Sequence, residues 1–269
     1  MNRSRTFATT IMLAAALALS VAVSTTASAA TLTPKQYWKK ADEFLSNKLY
    51  IDAVQHYTLA ISSNKGDIGI DEVSKVFSSR GLAYVALKDY DKAMDDFGNA
   101  IRLDDRNPEL YLERARLLLF LKDQEKAQQD LSKAVELSPR TTTTYLLRGQ
   151  SYLETGDHDR AIADYGRVLE FEPKNHVALY NLGLAYRLKG QHDKALQVFN
   201  QLLELDPKHP NAPYQEAAIF SRQGKIDSAC VWLDTAAENG FKDWSAVKND
   251  PDFDRLRKVD CYRKVLSGK

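Results

Sequence analysis

One spacing constrains this chain more than any other feature: Ala93, Ala127, Ala161, Ala195 and Ala229 recur with a period of 34. Ala53 precedes Ala93 by 40, the same spacing with an insertion of six, placed at Ile68 to Val73. Four positions after each Ala stands a bulky group: Tyr57, Phe97, Leu131, Tyr165, Phe199 or Leu233. Twelve before it stands a small one: Ala41, Gly81, Ala115, Gly149, Gly183 or Ala217. Nine before it comes Phe44, Tyr84, Leu118, Tyr152, Tyr186 or Phe220. Separations of 3, 4 and 7 place side chains on one helical face, and a small residue at a crossing lets two helices approach closely. A period of this length predicts stacked two-helix units that share a continuous core.

Prolines close three units at Pro139, Pro173 and Pro207, and Gly156, Gly190 and Gly224 sit where a left-handed residue ends the first helix of a pair. Over residues 34 to 239 the pattern resembles the tetratricopeptide repeat (TPR) family. The resemblance implies an all-α, right-handed α-solenoid of six helix-turn-helix repeats: 34–67, 74–107, 108–141, 142–175, 176–209 and 210–243. In each, a helix A is followed by a helix B. Departures from the family pattern are Lys65 and Asp105 in place of closing prolines, and Pro213, which predicts a late start of the sixth helix A near Pro213 itself. The last repeat would expose an apolar edge, so residues 244–269 are expected to form a helical cap, with Trp244, Val247, Phe253, Leu256, Val259 and Leu266 facing it.

Residues 1–29 read as an address. Arg3 and Arg5 precede an apolar run from Ile11 to Val23, and Ala27-Ser28-Ala29 supplies a small-residue cleavage site. This is the order of a secretory signal peptide cut after Ala29, leaving residues 30–33 as a short mature N-terminus; the rival reading is an uncleaved anchor. Export places the protein in the periplasm, with an extracellular location as the alternative. Contact with a membrane would then be transient, through the signal peptide alone.

Charge and motif content exclude several functions. The chain has 37 basic and 36 acidic residues, and removal of residues 1–29 takes away two bases and no acid. That balance gives no drive toward nucleic acid. Of the five histidines, His158 and His192 occupy a repeat position held by Tyr50 and Tyr90, so they read as ring-shaped fillers near a turn. No His-x-x-x-His pair, phosphate-binding loop or nucleophile motif is present, so no metal, cofactor or catalytic residue is expected. Asp95-Asp96 and Asp104-Asp105 read as surface charge on solvated helix faces.

Cys230 follows the core residue Ala229, and Cys261 lies in the last helix expected. An exported protein meets an oxidising compartment, where an even pair of thiols closes. The pairing resembles exported bacterial TPR proteins that bridge these two places; the alternative is two apolar fillers that never meet.

The reading of function is a non-enzymatic protein–protein interaction scaffold of the cell envelope, gripping a protein or peptide in a groove lined by the A helices. The alternatives are a self-assembling envelope component or a regulatory subunit of an enzyme complex. The family's carboxylate clamp of Lys and Asn is missing: its places hold Trp38, Asp42, Ser79, Glu109 and Glu113, or, begun at repeat four, Leu146, Gln150, Asn181, Asn211 and Gln215. The resemblance assigns groove-facing positions to Leu146 and Gln150 in repeat four, to Tyr180, Asn181, Leu184 and Arg187 in repeat five, and to Tyr214, Gln215 and Arg222 in repeat six. Tyr and Arg anchors among them suit a binding surface, and Asn181 suits the N–H and C=O of an extended peptide.

Overall fold

The computed structural model describes residues 32–267; the signal-peptide reading of residues 1–29 lies outside them. Fourteen α-helices and one 3-10 turn, with no strand, make up the described chain. They are α1 (Pro34–Ser46), α2 (Tyr50–Ser62), α3 (Ile70–Ala86), α4 (Tyr90–Leu103), α5 (Pro108–Phe120), α6 (Gln124–Leu137), α7 (Thr142–Glu154), α8 (His158–Phe171), α9 (His176–Leu188), α10 (His192–Leu205), α11 (Asn211–Arg222), α12 (Ile226–Glu238), α13 (Trp244–Asn249), the 3-10 turn Pro251–Phe253 and α14 (Asp260–Ser267). Two compact units divide after Asp96, inside α4. Among the described residues no helix is long and apolar enough to cross a membrane.

The turn from helix A to helix B is built the same way six times. The residue two past the last helical one takes a left-handed conformation, as in Gly156 (φ 80°), Gly190 (79°) and Gly224 (77°). In the first three repeats that place is held by Lys48 (61°), Lys88 (62°) and Lys122 (66°), which the sequence pattern does not announce. The following amide then bonds back to the aromatic or leucine position of helix A, for example Asp123 N to Leu118 O at 2.9 Å and Asp157 N to Tyr152 O at 2.8 Å. These pairs satisfy carbonyls that a helix end leaves open. Asp123 and Asp157 next accept from the amides of Lys126 and Arg160, which caps helix B.

In the first unit, Ala41, Ala53, Tyr57, Ala60, Ile68, Val76 and Ala83 form one buried cluster. The insertion of six adds a turn to the front of α3. Glu72 accepts from the Gly69 amide at 3.1 Å, Asn64 receives the Ile68 amide, and Ile68 is buried in the cluster.

In the second unit, four complete A–B hairpins run from α5 to α12. The small residue of helix A meets the ring of helix B as the spacing predicts: a Cβ on Gly183 would stand 2.6 Å from the Phe199 ring, and one on Gly149 3.0 Å from Tyr165. At Gly183 a methyl would force the ring to shift, while at Gly149 the Tyr165 ring would have to give by a few tenths of an ångström. The sixth helix A starts at Asn211, two positions earlier than the late start predicted at Pro213. Pro213 sits in the first turn, where amides have no intrahelical acceptor, so it costs no hydrogen bond.

Asp96 corrects the reading of Asp95-Asp96 as surface charge. Asp95 is exposed, but Asp96 is buried and receives two bonds from Arg80, Nε and Nη2, each at 2.8 Å. The pair recurs one repeat on as Arg114–Asp130 (2.7 Å) and again as Arg148–Asp164 (2.8 Å). Arg80 and Arg148 also reach a hydroxyl on helix B of the preceding repeat, Thr58 and Ser132. Two parallel bonds to a carboxylate are strong and directional, so each pair fixes A against B. Burial opposes the charge of Asp164 and raises its pKa above the carboxylate norm despite Arg148.

Candidate functional site

The segment after α12 does more than cover the edge of the last repeat. Phe241, Trp244, Val247, Phe253, Leu256, Tyr262 and Val265 join Tyr214, Ala217, Ala218, Ala229, Leu233 and Ala236 in one buried cluster, with Leu266 partly buried against it. The Tyr214 ring lies between Phe241 (4.9 Å) and Phe253 (5.7 Å), stacked with both. Cys230 and Cys261 are joined in a disulfide, with Cα atoms 5.8 Å apart, so α12 is tied covalently to α14.

The segment between those cysteines carries Asp250-Pro251-Asp252 onto helices α9 and α11. Asp250 caps its own 3-10 turn by accepting the Asp252 amide at 2.9 Å. Arg187, on the last turn of α9, donates from Nη2 to Asp250 (2.7 Å) and Asp252 (2.6 Å), and from Nη1 to Gln215 Oε1 (2.7 Å). Gln215 Nε2 in turn donates to the Tyr180 hydroxyl at 3.0 Å. The Tyr214 hydroxyl donates to Asp250 at 2.8 Å, Ser221 donates to the Asp252 carbonyl at 2.6 Å, and Arg222 reaches Asp252 at 2.9 Å. The Arg187 side chain is 9% exposed, and Asp250 and Asp252 are 12% and 10% exposed. Burial opposes ionisation of Asp250, but Arg187, the Asp252 amide and the Tyr214 hydroxyl outweigh it and hold its carboxyl below the usual range. Burial likewise works against the Arg187 charge, and the two aspartates more than restore it.

Five of the nine residues assigned to the groove are therefore brought together, around a segment of the chain itself: Tyr180, Arg187, Tyr214, Gln215 and Arg222. The Tyr180 ring also stacks on His209 at 5.4 Å. Asn181 and Leu184 are half-buried on α9 beside this group. Leu146 and Gln150 lie apart from it on α7. Leu146 packs against the cores of repeats four and five, and Gln150 is exposed and donates to Glu154 at 3.2 Å. Gln150 lines a surface pocket of about 340 Å³ between α5 and α7, with Arg116, Leu119, Phe120, Leu147, Ser151 and Glu154. Phe120 is 64% exposed on its rim. No signal short of the assembled hairpins marks that pocket, although Arg116, Leu119, Phe120, Leu147, Gln150 and Glu154 fall at the same A-helix positions as those assigned.

His192, expected as a turn filler, begins α10 and is half-buried; burial, then Arg222, lowers its pKa. Its Nδ1 has no partner, nor has Oε1 of Gln223 on the same surface pocket. Among the described residues no group of His, Cys, Asp and Glu is arranged to hold a metal.

Comparison with known proteins agrees with this geometry. Models described as tetratricopeptide repeat match residues 74–107 and 108–141, 146–210, and 186–249. No curated protein sequence matches the chain. Among solved structures, YrrB, titled a TPR protein with an unusual peptide-binding site, is 19% identical, with a TM-score of 0.61 over 71% of this chain and 96% of that one. MamA is 23% identical, with a TM-score of 0.57 over 59% of this chain and 93% of its own. A tetratricopeptide repeat protein of Parabacteroides merdae is 14% identical, with a TM-score of 0.60 over 87% and 98%. Identities this low speak for the fold alone. With the repeat models matched along most of its length and the hairpins built as the spacing requires, the chain belongs to the tetratricopeptide repeat family.

Proposed function

We propose that the protein is a non-enzymatic scaffold of the cell envelope that holds an extended segment of a partner protein on the A-helix face of repeats three and four. The observation that carries this is the pocket between α5 and α7, where Leu119, Leu147 and the exposed Phe120 offer apolar area beside Arg116, Gln150 and Glu154. An aromatic anchor with adjacent hydrogen-bonding groups is the composition of an interface hot spot. The peptide-binding site named for YrrB supports the reading by analogy of fold. The surface expected over repeats four to six is drawn back toward repeats three and four, because the chain's own Asp250–Asp252 segment occupies Arg187, Tyr214 and Arg222 in repeats five and six. An envelope location rests on the signal-like order of residues 1–29.

The test is capture from an envelope extract by the mature chain carrying a photo-crosslinking residue at Gln150, followed by affinity measurement with the captured protein. Phe120→Ala and Leu147→Ala are expected to weaken binding by about 1–2 kcal/mol each while helicity is unchanged. Equal affinity in both variants sinks the assignment of the surface. A parent chain found wholly in the cytoplasm sinks the location.

A further inference from the structure

We propose that the A helices of repeats five and six form a recognition site for an acidic Asp-Xaa-Asp turn, filled in cis by Asp250-Pro251-Asp252 and open to the same motif from a partner once the cap is released. The geometry is that of a bound peptide. Both carboxylates of the turn meet one guanidinium, the Asp252 main-chain carbonyl is read by Ser221, and the Tyr214 hydroxyl and Arg222 complete the set. Asp250 and Pro251 fix the turn before it docks, through the side-chain cap and the restricted φ of proline. The contacting residues lie on the A-helix face, the one that the TPR resemblance assigns to partners.

The charge of Arg187 sets the ligand class. Its side chain is desolvated among α9, α11 and the cap with both aspartates on one Nη2, so releasing the turn gives up two charge-assisted bonds. Only a ligand that returns carboxylates to the same place offsets that loss, so neutral and basic peptides are rejected. The Cys230–Cys261 bridge brackets the turn and keeps its local concentration high, so the closed cap excludes competitors. The idea stands apart from the surface proposed for repeats three and four, which shares none of these residues.

The probe is a synthetic peptide of residues 249–254, Asn-Asp-Pro-Asp-Phe-Asp, with a control in which its aspartates are Asn. The host is the chain with Asp250→Asn, Asp252→Asn, Cys230→Ser and Cys261→Ser, which leaves the seat without its acids or its tether. By calorimetry the emptied host is expected to bind the acidic peptide at least tenfold more tightly than the oxidised wild type. Arg187→Gln in that host should abolish binding, and the Asn peptide should not bind. A helical host that ignores the acidic peptide, or takes both peptides equally, overturns the proposal. If the emptied host loses helicity, the reduced wild-type chain replaces it: millimolar acidic peptide must speed hydrogen exchange across residues 250–262, and the Asn control must not. Equal exchange with both peptides overturns the proposal as well. Phe120→Ala should change none of these results, which keeps the outcome separate from that of the repeat three–four surface.

Discussion

Glu216 occupies the place in repeat six that Arg80, Arg114 and Arg148 occupy in repeats two to four, but Trp232 stands where their aspartate would be. The Glu216 residue is 1% exposed, and Oε1 has no hydrogen-bond partner. Burial alone raises its pKa from 4.5 to about 8. The sign is the reverse of an ion-paired aspartate. Below pH 4.5 the carboxyl is protonated in both folded and unfolded chains and nothing is lost. Between the two pKa values the unfolded chain releases its proton and the folded chain holds it, so stability falls as pH rises, levelling off above about pH 8. At pH 7, about 2.5 above the unfolded value and at about 1.36 kcal/mol per pH step of one, the loss is about 3 kcal/mol before relaxation of the surroundings. Glu216→Gln keeps the shape and removes the titration. In urea unfolding followed by helicity and tryptophan emission, the variant should gain about 1–3 kcal/mol over the parent at pH 8 and nothing at pH 4. Parallel stability curves for the two chains across that range would show that Glu216 finds a partner or water in solution, and the reasoning would be refuted.

Other expectations follow from single contacts. Gly183→Ala should cost about 1–3 kcal/mol by driving a methyl into Phe199, whereas Gly98→Ala, with nothing near its Cβ, should be neutral or stabilising by up to about 1 kcal/mol; thermal melts of the pair separate the two. Lys122→Gly at the left-handed turn should raise stability by up to about 1 kcal/mol, against no gain for Lys126→Gly one turn into α6. Asp130→Ala strands the half-buried Arg114 and should cost about 3 kcal/mol or more by chemical denaturation, with Arg114→Met/Asp130→Leu recovering most of it. Cys230→Ser/Cys261→Ser should lower the unfolding free energy of the oxidised protein by about 3–4 kcal/mol and leave the reduced protein unchanged, which denaturation with and without reductant decides.

The repeat is readable because helix geometry forces it: the small residue of helix A must face the ring of helix B, Gly149 against Tyr165 and Gly183 against Phe199, so both recur at a fixed spacing. The Arg–Asp pairs are equally periodic, with Arg80, Arg114 and Arg148 each followed by an aspartate at the same interval. They escape a reading of the sequence because a lone Asp on a charged helix looks solvated until its partner is placed beside it. The lysines at left-handed turns escape for a related reason, since local preference names Gly there and a strong fold overrides it. The acidic seat on Arg187 leaves no trace in the repeat pattern. Its partners lie 63 and 65 positions away, outside any repeat period, and meet only after the chain turns back at Gly240. The spacing puts Tyr180, Arg187, Tyr214, Gln215 and Arg222 on one face, as the structure does; what occupies that face is a property of the assembled cap.

The bridge between α12 and α14 also sets how the molecule comes apart. A stack held by neighbour contacts unravels from its loosest end, repeat by repeat. Here the final repeat has no loose end, since residues 230 to 261 form a covalent ring whose middle is pinned by Phe253 and Arg187. A processive protease that engages the chain at Ser267 and pulls would soon reach Cys261 and draw in a second strand from Cys230. It must then thread two strands side by side or wait for a reductant. Digestion begun upstream meets no such obstacle before Cys230, so the direction from which the chain is attacked decides how long its last repeat survives.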